Sequence, residues 1–182
     1  MHHPKYMQKL FEETKSVLPT QDISDLTYAK VQSLPYLEAV INETFRFRPV
    51  AAGILPRDVP EGGANILGYD LPAGATVGGS AYVLHHYSGN FSDPETFNPD
   101  RWFNQDEETL TKMQKAIVPF SFGARSCLGR ALAMLELKLV LTGLVRLFDF
   151  DFVPGKNMTP ANKFVLRPQD VHVDCHVRKR KE

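Results

Sequence analysis

The sequence predicts a mainly α chain with a small mixed β-sheet, an α+β class, on three observations. Apolar residues recur at helical spacing near both ends. Proline and glycine concentrate in the middle. Short runs of β-forming residues close the chain. With 182 residues, one domain is the default, and the length suffices to bury a core. Apolar residues make up 43% and charged residues 23%. That balance excludes a disordered tail protein, a coiled coil and a collagen.

The elements follow in order. Met7, Leu10, Phe11, Val17 and Leu18 repeat at helical spacing. Pro4 suits a first helical position, and Pro19 stops the helix. Residues 20–33 form a short polar stretch. A second helix begins near Pro35 and covers about 35–48. Leu37, Val40, Ile41, Thr44 and Phe45 give it one apolar stripe, and Pro49 ends it. Over residues 50–104 turns and short strands predominate. Leu71-Pro72-Ala73-Gly74 reads as a tight turn joining 65–69 to 75–79 in a hairpin. Gly62-Gly63 and Gly78-Gly79 read as turns. Residues 106–116 carry a weak helical pattern. The longest helix spans about 128–148 and is apolar nearly all round, so burial on every side is expected. Strands are expected at 150–153, 164–167 and 171–176, and the basic terminus at 178–181 as a solvated tail.

Charge and cysteine content exclude several functions. Lys plus Arg and Asp plus Glu are 21 each, for a net charge of zero. Without a clustered basic face, counterion release gives no case for a nucleic-acid partner. Cys127 and Cys175 are too few for a disulfide scaffold. No apolar run approaches the roughly 18 residues of a membrane span, and the start does not resemble a signal peptide.

The sharpest chemical feature is Phe120-Ser121-Phe122-Gly123-Ala124-Arg125-Ser126-Cys127-Leu128-Gly129. A loop with a glycine turn delivers one cysteine to the first turn of a long apolar helix. Free N–H groups and the positive end of the helix dipole favour a thiolate there. Arg125 adds a cation, and Gly123 and Gly129 clear side chains where a flat ligand could approach. A zinc site would want further ligands at metal spacing. A cysteine hydrolase would want a base that the histidines do not suggest. An axial haem ligand needs only one cysteine and room for a ring.

The ten-residue string resembles the haem-binding loop of the cytochrome P-450 family at Phe120, Gly123, Arg125, Cys127 and Gly129. Glu43-Thr44-Phe45-Arg46 resembles the family's ExxR helix, with glutamate and arginine on one helix face. Asn98-Pro99-Asp100-Arg101-Trp102 resembles the segment whose arginine joins that pair. The resemblance implies a structural triad of Glu43, Arg46 and Arg101. It carries one surplus positive charge, which backbone carbonyls must satisfy. Arg57 and Arg125 are the candidates to hold haem propionates, because the arginine fork suits carboxylates. Val50, Ala51, Ala52, Gly53 and Ile54 resemble the stretch that lines the substrate pocket. His85-His86 chelates poorly if extended, since adjacent side chains point to opposite faces. The pair reads as packed or hydrogen-bonded, and one of the two resembles a histidine that the family often has before its Arg-Trp segment.

The resemblance covers nearly the whole chain, as a partial domain over residues 1–182. It runs from the family's J helix through the ExxR helix (about 35–48), the meander (about 92–118), the haem loop (120–129) and the L helix (about 128–148). It implies the C-terminal portion of the fold, with the oxygen-activating I helix, the distal half and any N-terminal membrane anchor preceding residue 1. No catalytic residue beyond the haem ligand is expected within the chain. The implied activity is a haem-thiolate monooxygenase that inserts one oxygen atom from O2 into an organic, apolar small molecule. The implied cofactor is haem b, with Cys127 as thiolate ligand to iron. NADPH acts only indirectly, through a reductase that docks at the proximal face. A eukaryotic parent would work at the cytoplasmic side of the endoplasmic reticulum membrane. Two alternatives stand beside this reading: an inactive, truncated haem-binding remnant, and a globular interaction module without haem.

Overall fold

The computed structural model describes residues 3–103, 105–153, 160–163, 165–168 and 174–180. Helix α1 spans Pro4–Val17 with proline in its first turn. Pro19 forbids its continuation. Residues 20–33 are more ordered than their polarity suggests. They form a 3-10 turn at Ile23–Asp25 and a short helix, α2, at Tyr28–Val31. Helix α3 covers Pro35–Phe47.

Two buried clusters flank α3. Leu37 and Ile41 pack with Leu10, Val31, Leu34 and Val145. Ala39 packs with Phe91, Trp102 and Met113 on another side. Thr44, expected on the apolar stripe, is exposed and donates its hydroxyl to the Val40 carbonyl. The second buried face carries Ala39, Glu43, Arg46 and Phe47. A charged pair at i,i+3 masks such a face from a reading based on apolar periodicity.

The α+β class holds. Among the described residues the strands form four separate antiparallel pairs. Strand β1 (Ile54–Asp58) pairs with β4 (Thr76–Ser80). Strand β2 (Ala64–Ile66) pairs with β3 (Tyr69–Leu71). The hairpin is therefore centred on Leu67-Gly68, whose φ angles of 54° and 88° suit a two-residue primed turn. The Asn65 side chain supports it by accepting the Gly68 N–H at 3.2 Å and donating to Asp70 at 2.6 Å. The turn at Pro72 to Gly74 exists too, with the Ala75 N–H on the Pro72 carbonyl at 3.2 Å. Its two flanks pair with different strands. Gly78 and Gly79 lie inside β4 and are not a turn.

Helix α4 (Ala81–His86) begins where the Ser80 hydroxyl caps the Val83 N–H. His85 and His86 are thus helical and not extended. A 3-10 turn at Pro99–Trp102 packs on α3, and α5 covers Glu107–Ala116. Helix α6 spans Arg130–Leu147 and leads into β5 (Phe148–Phe152). Strands β6 (Pro160–Lys163) and β7 (Val165–Pro168) form a third pair, and β8 (Cys175–Lys179) pairs with β5. The expected strand at 171–176 begins in residues outside those described. The basic terminus is engaged: Arg178 pairs with Asp151, and Arg180 with Asp149 at 2.9 Å.

Helix α6 is not buried on every side. Leu132, Val140 and Leu144 are exposed. Its buried residues include Lys138, Thr142, Gly143 and Arg146. Lys138 donates to the Gln32 carbonyl at 2.6 Å and pairs with Glu38 at 3.0 Å. Arg146 donates to the Leu18 and Pro19 carbonyls at 2.8 and 2.7 Å, closing the end of α1. At Gly143 an added Cβ would meet Ile23 at 3.3 Å, so the 3-10 turn approaches α6 closely there. The polar groups go inside because the ends of α1 and α2 present carbonyls that need donors.

Candidate functional site

The structure gathers Glu43, Arg46 and Arg101 into one buried cluster. Glu43 and Arg46 are fully buried, and Arg101 nearly so. Glu43 Oε1 accepts from Arg46 at 2.8 Å, from Arg101 Nε at 3.1 Å and from the Asn98 N–H at 2.8 Å. Its Oε2 accepts from Arg46 Nε at 3.0 Å and from Trp102 Nε1 at 3.2 Å. The surplus positive charge meets backbone carbonyls. Arg46 donates to His85, Pro94 and Thr96 at 3.1, 2.7 and 3.0 Å. Arg101 donates to Ser92, Asp93 and Thr96 at 2.6, 3.2 and 3.1 Å. A buried ion cluster is tolerable only when satisfied to this degree. The sequence motif by itself assigns Trp102 no role. A buried indole needs an acceptor, and that need was the available signal.

The segment that carries Arg101 is also latched to α1. Asp100 accepts Lys9 Nζ at 2.8 and 2.7 Å and the Tyr36 hydroxyl at 3.1 Å. Although burial works upward on Asp100, the bonds from Lys9 and Tyr36 hold its carboxyl below the usual range. Burial, then the Asp100 charge, push the Tyr36 hydroxyl well above the ordinary tyrosine value.

His85 is fully buried. Its Nε2 accepts the Val118 N–H at 2.9 Å, which leaves the proton on Nδ1 facing the Phe45 carbonyl at 3.2 Å. Burial pushes its pKa down to about 4, so the ring is neutral at neutral pH.

The cysteine loop follows Val118. The Cys127 N–H bonds the Phe120 carbonyl at 2.8 Å and closes the loop. Inside it, Gly123 begins a 3-10 turn with φ of 69°, a conformation that favours glycine. Ser126 N–H bonds the Gly123 carbonyl at 3.1 Å. The Phe120 ring meets the Phe45 ring edge-on, 5.3 Å between centroids. Helix α6 starts at Arg130 with Gly129 as N-cap, so Cys127 lies in the turn before the helix and not in its first turn. The Cys127 carbonyl accepts the Arg130 N–H at 3.3 Å.

Cys127 is a free, exposed thiol. Phe122, Arg125 and Leu128 are exposed beside it in sequence. A Cβ at Gly129 would lie 3.9 Å from Cys127 Sγ, an ordinary contact distance, so Gly129 sits directly beside the thiol. Arg57, on β1, is exposed and donates to the Pro56 carbonyl at 2.7 Å. Among the described residues neither Arg57 nor Arg125 pairs with a carboxylate. Val50 and Ile54 are exposed, with Ile54 at 69%. Ala51 and Gly53 are half-buried. Ala52 is buried, and its carbonyl accepts the Ser80 hydroxyl at 2.8 Å. An open thiol, two guanidiniums without acid partners and exposed apolar side chains fit a flat, apolar ring with carboxylate arms. This donor set fits haem.

The cytochrome P-450 family model matches residues 1–174. The chain is 42% identical over 146 residues to the cytochrome P-450 monooxygenase macH of Penicillium terrestre, which covers 80% of this chain and 28% of that protein. It is 38% identical over 154 residues to the monooxygenase atr2 of Stereocaulon alpinum, covering 85% and 30%. It is 40% identical over 131 residues to the monooxygenase cpaH of Aspergillus oryzae, covering 72% and 26%. The chain spans under a third of the length of these relatives. Among the described residues no helix is long and apolar enough to cross a membrane.

Proposed function

The chain belongs to the cytochrome P-450 family, and from that premise we propose that it forms the haem-holding part of a haem-thiolate monooxygenase, in which Cys127 would supply the thiolate to the haem iron. One observation carries the reading. The exposed Cys127 thiol sits on a loop closed by the Phe120 carbonyl, at the end of a bonded path that begins in the buried Glu43–Arg46–Arg101 cluster.

Each residue has a limited task. Cys127 supplies sulfur. Arg125 and Arg57 offer forked donors to the propionates. Phe120, Gly123 and Gly129 shape the loop and keep its backbone approachable. The Glu43 cluster holds the scaffold beneath. When bound, haem supplies the redox chemistry of dioxygen, and a thiolate ligand donates electron density that favours O–O cleavage. The exposed side chains of Val50 and Ile54 support an apolar organic substrate. Electrons come from a reductase at the proximal face, with NADPH acting only through it.

The test is the visible spectrum of the haem-loaded chain, reduced and exposed to carbon monoxide, beside Cys127→Ala. A strongly red-shifted Soret band, lost in the variant, is expected. A band that survives the substitution would remove Cys127 as the ligand.

A further inference from the structure

We propose that His85 is a positioning residue for Cys127: its imidazole ties the last turn of α3 to the start of the cysteine loop. The inference rests on Cys127 being the haem ligand, for its bearing on haem. Its structural half stands on its own geometry.

Two routes lead from the buried cluster to the cysteine. The first runs through His85. Arg46 donates to the His85 carbonyl at 3.1 Å, and the His85 ring accepts the Val118 N–H at 2.9 Å while facing the Phe45 carbonyl at 3.2 Å. The second is the Phe45–Phe120 ring contact at 5.3 Å. Both converge on the strand of chain that enters the loop, and the Phe120 carbonyl then fixes the Cys127 N–H at 2.8 Å.

The imidazole is the one group in this path that accepts on one side and donates on the other. A neutral ring with Nδ1–H meets both demands, and no carbon side chain can. His85 itself is fully buried, so its ring bonds are shielded from solvent. Without an acceptor the Val118 N–H would be left unpaired in a half-buried place, which is costly. Loss of the ring should therefore loosen residues 118–127 and leave the Glu43 cluster bonded, because the cluster uses only the His85 carbonyl.

Three variants separate the bonds. His85→Gln retains a carbonyl acceptor at the reach of Nε2. His85→Asn retains a donor at the reach of Nδ1 and loses the acceptor. His85→Leu loses both. The measurement is amide hydrogen exchange of the whole chain, haem-free, with the α3 segment 35–47 as internal reference. His85→Asn and His85→Leu should speed exchange at Val118 and Cys127 by about ten-fold with α3 unchanged, and His85→Gln should restore most of the protection. In the haem-loaded chain the same order should appear in the fraction of the carbon monoxide complex that keeps the red-shifted band. Unchanged exchange at 118–127 in His85→Asn would overturn the positioning role. So would loss of protection in α3 to the same degree, or failure of glutamine to rescue. If wild type lacks the red-shifted band, the ligand assignment fails, and the exchange result still decides the role of His85 in the loop.

Discussion

The carboxylate of Glu13, on α1, accepts the Tyr36 N–H at 2.7 Å at the opening of α3. Its other oxygen accepts the Leu37 N–H at 2.8 Å. Helix α3 has Leu34 at its N-cap and no side-chain cap of its own. A neighbouring helix thus supplies the cap, and its negative charge complements the positive helix end. The same helix α3 carries Glu43 and Arg46, so the cap on its first turn bears on the cluster at its last.

Removing this cap should destabilise the chain without touching the cysteine loop directly. Glu13→Ala leaves two buried-side N–H groups without acceptors and should cost about 1–2 kcal/mol. Glu13→Gln should cost less, since one amide oxygen remains. Urea unfolding followed by far-UV circular dichroism measures both. An unchanged midpoint for Glu13→Ala would show that water replaces the carboxylate.

The Glu43 cluster predicts a larger effect. Glu43 receives bonds from two guanidiniums, one indole and one backbone N–H. Glu43→Gln preserves the shape and removes the only negative charge of the cluster. It leaves two buried arginines facing carbonyls alone. The expected loss is roughly 3–5 kcal/mol. A loss under about 1 kcal/mol would mean that the carbonyls alone hold both cations.

What the sequence made legible follows from what each signal reports. Apolar periodicity and proline placement located α1, α3 and α6, because burial and missing N–H groups act locally. The cysteine loop was legible from its own residues. The pairing of β1 with β4 was not, since strand partners far apart in sequence leave no local mark. The Leu67-Gly68 turn was hidden for another reason. Leucine at positive φ is held by the Asn65 side chain and not by its own preference. The buried polar face of α6 was hidden because Lys138 and Arg146 read as exposed until the carbonyls at 18, 19 and 32 are in place. Glu13 as a cap and His85 as a tether depend likewise on partners 23 and 33 residues away.

His85 also sets a pH dependence. Its ordinary value is 6.5, and burial lowers it to about 4, with the His86 ring and the Arg46 guanidinium acting in the same direction. The facing groups are otherwise backbone: the Phe45 carbonyl and the Val118 N–H. Between pH 6.5 and 4 the unfolded chain binds a proton that the folded chain does not. Stability from this site is therefore complete above pH 6.5 and is lost as pH falls towards 4, on the order of 3 kcal/mol in all. The depressed carboxyls of Asp22, Asp100 and Asp106 lie below their ordinary 3.8, so the stability they contribute is lost mainly below this window and touches only its lower edge. Unfolding midpoints at pH 7 and 4.5 should differ in wild type and converge in His85→Gln. An equal difference in both would assign the dependence to another group.

The two cysteines give a direct test of where haem binds. Cys127 and Cys175 are both free and exposed, so both thiols should react with iodoacetamide in the haem-free chain. They lie on different elements: Cys127 in the turn before α6, Cys175 at the start of β8 opposite Phe152. A ligand seated on the loop should shield Cys127 and leave Cys175 reactive. Peptide mapping of the alkylated chain with and without haem should show protection at Cys127 of at least about ten-fold, with Cys175 unchanged as the internal control. Arg125→Ala should weaken that protection by removing a donor for the propionates, and it should leave the haem-free reactivity of Cys175 as it was. Equal protection of both cysteines would point to aggregation around haem. Protection of neither would place the haem away from the loop, and the assignment of Cys127 would fall with it.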